Sequence, residues 1–331
     1  MSILITGGAG YVGSHTTHAL AAAGYEIAVA DNLCTGFRAA VPACARFYQG
    51  DIRDRAFLDE IFSKESVSAV IHFAALSQVG ESMTQPLQYY HNNLYGTQVL
   101  LESMLAHGVQ TLVFSSSAAV YGEAQHLPIR ESDPTQPTNC YGATKLAMEQ
   151  MMHWVSGAHG LRFAALRYFN ACGAQPDGQI GEAHCPETHL IPLVLQVALG
   201  QRPAISLFGT DYPTPDGTCI RDYVHVCDLA QAHILAMQHL LRGGDNLIVN
   251  LGSGTGFSVR EIIDAVRRIT GHAIPVCEQP RRAGDPAMLV ASTELAQATL
   301  GWNPVYSGLD TLIDSAWTWH RAHPNGYSAS L

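Results

Sequence analysis

Two side chains that could exchange a proton with a substrate, Tyr141 and Lys145, stand four residues apart. They lie in a stretch with helical periodicity, and an i, i+4 spacing places both on one face of a helix. Upstream, the serines at 115–117 end an apolar run that is typical of a β-strand. These residue types suit the oxidation of an alcohol by hydride transfer: the phenolate accepts the hydroxyl proton, and Ser117 holds the hydroxyl and relays the proton.

A glycine-rich segment lies between the first predicted strand and the first predicted helix. Residues 7–13 fit the spacing G-x-x-G-x-x-G, and residues 8–13 fit G-x-G-x-x-G. Such glycines permit a tight turn and a close approach of the backbone, and the free N–H groups of a helix N-terminus bind a pyrophosphate. Because a strand precedes the motif and a helix follows it, we expect a dinucleotide site that includes Gly7, Gly10, Tyr11, Val12 and Gly13.

An acidic residue, Asp31, ends the second predicted strand 18 positions after the last glycine of the motif. A carboxylate at about this distance binds the ribose hydroxyls of a dinucleotide. It also repels a 2′-phosphate, and Asn32 and Leu33 provide no compensating cation, so the sequence predicts NAD rather than NADP. Asp51 and Ile52 follow a strand and are candidates to meet the adenine, although a lone acidic residue is more often exposed or a helix cap.

The proposed chemistry requires a tyrosine with an altered pKa. A free tyrosine has a pKa of about 10, so a proton acceptor that works near neutral pH needs roughly 4 kcal/mol of preferential stabilisation of the phenolate. The ammonium of Lys145 and the positive ring of an oxidised nicotinamide can supply it in a partly dry site. Alone, Tyr141 and Lys145 would carry little weight, but the dinucleotide motif and the serine run make the combination strong.

The elements that must position these residues alternate regularly in the first half of the chain. Apolar runs at 2–5, 26–30, 69–73, 112–116 and 163–168 predict strands, and stretches near 12–22, 55–64, 87–107 and 141–156 predict helices. Strict alternation implies right-handed crossovers and a parallel sheet covered on both faces. The predicted fold class is α/β with a doubly wound, Rossmann-like sheet, and the serine run lies at its carboxyl edge, where ligands bind.

The character of the sequence changes after residue 170. Residues 171–186 and 209–218 are rich in turn-forming residues and predict loops, whereas 227–241, 247–251 and 258–269 have the patterns of a helix, a strand and a helix. We therefore expect a dinucleotide-binding domain at 1–170 and a smaller, loop-rich substrate domain at 171–331. Within the second region, the segment at about 222–250 is a candidate to be part of the first domain.

The composition excludes several classes of protein. The chain has 331 residues, 47% of them hydrophobic, and its 18 Lys and Arg against 28 Asp and Glu give a net charge of −10. This composition is that of a globular protein, and its acidity disfavours binding to nucleic acid or to an anionic membrane. No apolar stretch reaches the about 20 residues of a membrane span. Eight cysteines without a CxxC pair, and no signal-peptide pattern, predict reduced thiols and a cytoplasmic location.

The motifs resemble those of the extended short-chain dehydrogenase/reductase superfamily and, within it, the UDP-glucose 4-epimerase family. The resemblance spans nearly the whole chain, and several blocks are more typical of the epimerases than of the superfamily. The blocks are ILITGGAGYVGSH at 3–15, DNL at 31–33, GDIR at 50–53, VGES at 79–82, FSSSAAVYG at 114–122, LRYFN at 166–170, DYPT at 211–214, RDYVH at 221–225 and PRRAGD at 280–285.

The resemblance implies an NAD-dependent isomerase that interconverts UDP-galactose and UDP-glucose by transient oxidation at C4 of the sugar. Tyr141 and Ser117 would carry the proton chemistry, while Lys145 would tune Tyr141 and hold the nicotinamide ribose. Further implied cofactor contacts are Phe73, Ala74, Ala75, Asn92, Ser115 and Tyr168. The resemblance also implies a homodimer.

For the substrate, the resemblance implies a UDP-sugar site. Arg221 and Arg282 match the positions that bind the diphosphate, and guanidinium groups suit phosphate geometry. Asn170, Phe208 and Asp285 match positions that line the uridine site. The net negative charge does not oppose this, because at physiological ionic strength screening limits exposed charges to about 8 Å, so the two local arginines dominate.

Three positions depart from the family's pattern. Ser77 stands where a cofactor-binding lysine is usual, and His189 replaces an asparagine near the sugar diphosphate. Leu289 occupies approximately the position of a tyrosine that narrows the sugar pocket, which favours the hypothesis that N-acetylated sugars are accepted. The preferred sugar, whether glucose or galactose, an N-acetylhexosamine or a pentose, stays open.

Two other functions stay open at this point. Nucleotide-sugar 4,6-dehydratases resemble this chain, but they carry an acidic residue just after the serine or threonine of the active strand, and here two alanines follow Ser117. A non-catalytic NAD-binding protein would be expected to lack the tyrosine and lysine pair. His184, Cys185 and His189 match no common zinc spacing, so no metal is expected.

Overall fold

The computed structural model describes residues 2–282 and 285–327 and contains a seven-stranded parallel sheet. Its strands are β1 (Ser2–Thr6), β2 (Glu26–Asp31), β3 (Arg46–Gln49), β4 (Val67–His72), β5 (Thr111–Ser117), β6 (Arg162–Tyr168) and β11 (Leu247–Leu251). Their order is β11–β6–β5–β4–β1–β2–β3. The order reverses between β1 and β4, where open α/β sheets bind their ligands at the carboxyl ends of the strands. The predicted doubly wound α/β fold is confirmed.

Apolar layers cover both faces of the sheet. Helices α1 (Tyr11–Ala22) and α8 (Val226–Leu241) pack on one face, and α2 (Arg55–Lys64), α5 (Gly96–Ala106) and α6 (Cys140–His159) pack on the other. On β1, Ile3 and Ile5 join the first layer and Leu4 joins the second, all of them buried. This alternation has the period of two of a strand, and it explains why a strand covered on both faces is a continuous apolar run.

The chain between β4 and β5 differs from the single helix predicted at 87–107. It forms α3 (Val79–Thr84), α4 (Pro86–Tyr89), a π-helical turn at Tyr90–Tyr95 and then α5. The side chain of Asn93, in that turn, is buried and bonds the backbone N–H and C=O of Leu76, at 2.8 and 3.0 Å. The hydrogen bonds of Asn93 therefore connect the π-helical turn to the loop after β4. Such turns are frequent at functional sites.

The later part of the chain forms short strands around a third apolar layer. The strands are β7 (Asn170–Cys172), β8 (Ile205–Phe208), β9 (Ile220–Arg221), β10 (Tyr223–His225), β12 (Phe257–Ser258), β13 (Val276–Gln279) and β14 (Met288–Leu289). They pair as β10–β7, β12–β9–β14 and β13–β8. Helices α7 (Leu190–Ala198), α9 (Val259–Thr270) and α11 (Leu309–Ala322) enclose the layer, and α10 (Glu294–Leu300) packs near β11.

The segment at about 222–250 contains α8 and β11, which join the large sheet and its first apolar layer. We accordingly propose that it belongs with residues 1–170, and that the rest of 171–331 forms the substrate side. Two 3₁₀ turns, Arg38–Ala40 and Ala118–Val120, complete the regular structure of the described chain. Within residues 2–282 and 285–327, no helix combines the length and the apolar character that crossing a bilayer requires.

Candidate active site

One cavity of about 700 Å³ opens at the carboxyl ends of the central strands. Every residue predicted to bind the dinucleotide lines it, and so does Ser77. The predicted substrate residues that line it are Ser117, Asn170, His189, Phe208, Arg221 and Arg282. Asp285 and Leu289, which the sequence also predicts as substrate residues, do not line it.

The glycine segment forms a cradle that admits no side chains at its key positions. Gly7 has a φ of +76°, and a Cβ there would lie 2.5 Å from the amide nitrogen of Ala74. A Cβ on Gly13 would lie 2.2 Å from the carbonyl oxygen of Gly7. Gly10 caps the N-terminus of α1 without a side-chain cap, and the first residues of this helix line the cavity. The cradle therefore fits the pyrophosphate of a dinucleotide.

Asp31 stands at the end of β2, buried beside this cradle. Its carboxylate accepts hydrogen bonds from the backbone N–H groups of Ala9 at 2.9 Å and Leu33 at 2.8 Å, and burial raises its pKa. Asp51 lies at the same end of the cavity, where hydrogen bonds from Arg53, the shortest of 2.6 Å, lower its pKa to about 2. The guanidinium of Arg53 is therefore paired with a carboxylate, and Asp31 and Asp51 keep the acidic character that disfavours a 2′-phosphate.

Tyr141 and Lys145 both lie on α6 and reach the cavity beside Ser117. The ammonium of Lys145 is 5.7 Å from the centre of the Tyr141 ring and donates a hydrogen bond of 2.8 Å to the backbone oxygen of Ser115. Burial lowers the pKa of Lys145 to about 7, against the opposing charge of Glu149. Burial raises the pKa of Tyr141, while a hydrogen bond with Ser117 lowers it. The dry site makes the phenolate costly, so it depends on the positive charge of Lys145.

A buried polar network behind these residues is absent from the sequence-based prediction. Glu149, one turn after Lys145, accepts hydrogen bonds from Arg167 at 2.6 and 3.0 Å and from Ser116 at 2.5 Å. Arg167 also donates to the hydroxyl of Tyr121 at 2.9 Å. Two signals in the sequence could have revealed the network: a glutamate four residues after the lysine, and an arginine near the end of an apolar strand. The network fixes the helix that carries the catalytic pair.

The opposite end of the cavity contains the two predicted diphosphate ligands. Arg221 is mostly buried and donates to the backbone oxygens of Ile220 and Pro286, both at 2.9 Å. Arg282 lies 5.0 Å over the ring of Phe208. Asp285 pairs with Arg282 at 2.8 Å and with Arg221 at 3.4 Å, so it orients both cations.

Leu289 lies on β14, opposite Arg221 of β9, and packs with Val120, Tyr121 and Ile129 in an apolar cluster. Phe169, which lines the cavity, joins the same cluster. Leu289 therefore shares its apolar cluster with a residue of the cavity wall but does not itself line the cavity.

The structure also brings together two glutamates and two histidines, at a place where the sequence predicts no metal site. Glu182, His184, Glu187 and His189, the histidine–glutamate cluster, lie on the irregular segment 173–189. Burial opposes protonation of His184, but hydrogen bonds to both glutamates outweigh it and raise its pKa to about 10. The charge of Glu182 also raises the pKa of His189. Both histidines line the cavity.

Comparisons with known proteins agree with this geometry. Residues 3–252 match the NAD dependent epimerase/dehydratase family. The chain is 57% identical over 328 residues to a UDP-glucose 4-epimerase of Halalkalibacterium halodurans, covering 99% of this chain and 98% of the relative.

Solved structures are similar over nearly the full length as well. A UDP-glucose 4-epimerase from Brucella ovis in complex with NAD has a TM-score of 0.94 and 51% identity, covering 96% of this chain and 97% of that one. One from Bifidobacterium longum in complex with NAD⁺ and UDP has a TM-score of 0.92 and 39% identity, covering 99% and 100%.

Proposed function

The chain belongs to the NAD dependent epimerase/dehydratase family, and from that premise we propose that it is a UDP-glucose 4-epimerase. It interconverts UDP-galactose and UDP-glucose by oxidising and re-reducing C4 of the sugar. The observation that carries the proposal is the position of Tyr141, Lys145 and Ser117 in one cavity, between a dinucleotide cradle and a pair of arginines. The same cavity accommodates an oxidant and an anionic nucleotide sugar.

NAD, when bound, supplies the hydride acceptor and later the hydride donor. Residues of the glycine cradle would hold its pyrophosphate, and Asp31 would bind a ribose. Because the reaction has no net redox change, this chain needs to retain the cofactor rather than exchange it. The steric constraints at Gly7 and Gly13 serve that retention by allowing close contact between the backbone and the pyrophosphate.

Tyr141 accepts the proton of the sugar 4-hydroxyl, either directly or through Ser117. The hydrogen bond between Ser117 and Tyr141 provides the relay, and Lys145 stabilises the phenolate that starts the step. In the second half of the reaction Tyr141 returns the proton to the C4 oxygen of the 4-keto sugar, which by then presents its opposite face to the hydride donor. A single acid–base residue is sufficient for both directions, provided the sugar turns within the cavity.

Arg221 and Arg282 bind the diphosphate and act as the pivot for that rotation. Asp285 holds both guanidinium groups, and Phe208 supports the nucleoside side of the site. Anchoring the substrate at its diphosphate leaves the hexose free to present either face to the reacting centre.

The alternative functions are less well supported. A 4,6-dehydratase needs an acid next to the active serine to eliminate water, and Ser117 is followed by Ala118 and Ala119 in a 3₁₀ turn. A non-catalytic NAD-binding protein would have no need for the buried pair of Tyr141 and Lys145.

The structure also supports the proposal of a homodimer. Trp154 on α6 is 75% exposed, and large apolar side chains on the neighbouring α3, α4 and π-helical turn are exposed too, namely Met83, Leu87 and Tyr95. Large apolar side chains exposed on neighbouring helices favour an interaction surface. Light scattering of the parent and of Trp154→Glu tests this, with a dimer expected for the parent and a monomer for the variant. We further propose a cytoplasmic location, since all eight cysteines are free thiols.

Incubation with UDP-galactose, UDP-N-acetylgalactosamine and UDP-xylose separately, without added NAD, tests the function and the sugar preference. We propose that UDP-galactose reacts and that the N-acetylated sugar reacts too, because Leu289, in the apolar cluster that Phe169 of the cavity wall also joins, has less bulk than a tyrosine. Conversion of none of the three would overturn the epimerase proposal. Conversion of UDP-galactose alone would overturn the N-acetyl hypothesis.

A further inference from the structure

The histidine–glutamate cluster brings four potential metal ligands together outside the catalytic residues. One ligand atom from each of Glu182, His184, Glu187 and His189 lies within 4.8 Å of all the others. The four residues follow the local spacing E-x-H-x-x-E-x-H on a segment without helix or strand. A cluster formed by one short loop is positioned mainly by the loop's own fold.

The ligand atoms converge on one point. Both histidines direct Nδ1 toward Oε1 of Glu182, His184 at 3.0 Å and His189 within hydrogen-bond distance. Oε1 of Glu187 accepts the backbone N–H groups of Thr188 and His189 at 2.7 and 2.8 Å, which fixes that carboxylate. Its other oxygen lies 3.8 Å from Nδ1 of His184. The two imidazole nitrogens and the two carboxylates therefore lie close together, and backbone hydrogen bonds hold one of the carboxylates in place.

Among the described residues, the charges of the cluster are balanced without any lysine or arginine. Glu182 is only 3% exposed, and in the described part of the chain its ion pairs are with the two histidines and with no lysine or arginine. Its backbone is held from outside, because the indole N–H of Trp319 donates to its carbonyl oxygen at 2.9 Å. A buried carboxylate without a permanent cation is costly. The fold therefore keeps a negative charge at a place where only histidines can balance it.

We propose that the cluster is a binding site for one divalent transition-metal cation. Two imidazole nitrogens and two carboxylate oxygens form a donor set that suits Zn²⁺. Bonds of about 2.0–2.2 Å place tetrahedral ligand atoms about 3.4 Å apart. The widest pair here is 4.8 Å apart, so a modest rotation of the half-exposed His189 and of Glu187 closes the set. One divalent cation with neutral imidazoles balances both carboxylates.

A cation at this place would fix the wall between the two ends of the cavity. The ring of His184 lies edge-on to Tyr11 of the dinucleotide cradle, with 6.1 Å between ring centres, while His189 lines the cavity that Arg221 and Arg282 also line. The cation takes no part in the transfer of hydride or proton. Its role is structural, and it holds segment 173–189 in place.

The test is metal binding to the full NAD-loaded protein after treatment with a chelator. Calorimetric titration with Zn²⁺ is expected to show one equivalent bound, and Co²⁺ is expected to give the visible absorption of a tetrahedral site. His184→Gln and His189→Gln are each expected to raise the Kd for Zn²⁺ more than about 100-fold, since each removes a ligand. His126→Gln, an exposed histidine far along the chain, serves as the matched control and should leave the Kd unchanged.

Absence of stoichiometric Zn²⁺ binding by the parent protein would overturn the proposal. Equal affinity in the parent and in both cluster variants would overturn it as well, because the metal would then lie elsewhere. NAD content and Tm verify that each variant is folded, and the titration of the parent decides the question even if a variant fails to fold. The titration involves no turnover, so its result is independent of the epimerase proposal.

Discussion

Replacing Lys145 by methionine removes the ammonium but keeps a long unbranched side chain. The charge lies 5.7 Å from the centre of the Tyr141 ring. With an effective dielectric constant of about 20, a unit charge at that distance stabilises the phenolate by about 3 kcal/mol, or about two pKa units. Near neutral pH the phenolate fraction, and with it the rate of epimerisation, should fall about 100-fold.

The assay is kcat for UDP-galactose as a function of pH, in the parent and in Lys145→Met. Activity rises with pH as Tyr141 ionises, so the variant's ascending limb should move up by about two units. The pKa of Lys145, about 7, means that its ammonium is lost as pH rises through that region, although the phenolate raises this pKa in return. The parent should therefore also lose activity at alkaline pH, and the variant should lack that descending limb.

Lys64→Met is a matched control, because Lys64 is an exposed lysine on α2 that pairs with Glu60. Its pH profile should coincide with that of the parent. If the ascending limb of Lys145→Met moved by less than about half a unit, the electrostatic role assigned to the lysine would be refuted.

Three further predictions concern the cradle, the arginine end and the buried network. Gly13→Ala places a Cβ 2.2 Å from a backbone oxygen of the cradle, so the purified variant should carry little or no NAD by absorbance of the released nucleotide; full NAD content would contradict the steric argument. Arg282→Met should raise KM for UDP-galactose about 10- to 100-fold with kcat nearly unchanged, since a charge-assisted hydrogen bond contributes about 1.5–3 kcal/mol. The control Arg281→Met should leave KM unchanged. Glu149→Gln leaves Arg167 buried without its carboxylate partner, so the free energy of unfolding should fall by about 3–5 kcal/mol. Denaturant titration measures this, and a loss below about 1 kcal/mol would show that the ion pair is dispensable.

The fold was predictable from the sequence where the sheet is covered on both faces. β1 and β5 each contain a run of three buried apolar residues, 3–5 and 112–114, which predicts a strand, and the glycine segment that follows β1 identifies that strand a second time. The strand expected before Asp51 could not be given bounds from the sequence, because β3 (Arg46–Gln49) is a half-buried edge strand with polar residues at both ends. The π-helical turn at Tyr90–Tyr95 has no signature in a pattern of 3.6 residues, since its reason is the tertiary bond from Asn93 to Leu76.

The candidate site was predictable where a spacing encodes it. Tyr141 and Lys145 share a helix, so four residues of sequence define their relation. Arg167 binds Glu149, which lies on the same helix as Lys145. This contact depends on the pairing of β5 with β6, which a single sequence does not reveal. In the same way, Asp285 matches a position of the uridine site in the sequence, while in the structure it pairs with Arg221 and Arg282. Long-range contacts, which tertiary packing decides, account for these differences.

Conversion of UDP-galactose by Tyr141→Phe, without added NAD, tests the central claim most directly. The variant keeps the aromatic ring but loses the hydroxyl that accepts the sugar proton, and general acid–base catalysis contributes about 10²–10⁴-fold to a rate. We predict that kcat falls by at least about 1,000-fold while NAD content and UDP affinity stay those of the parent. Turnover within about tenfold of the parent would contradict the assignment of Tyr141 as the acid–base residue.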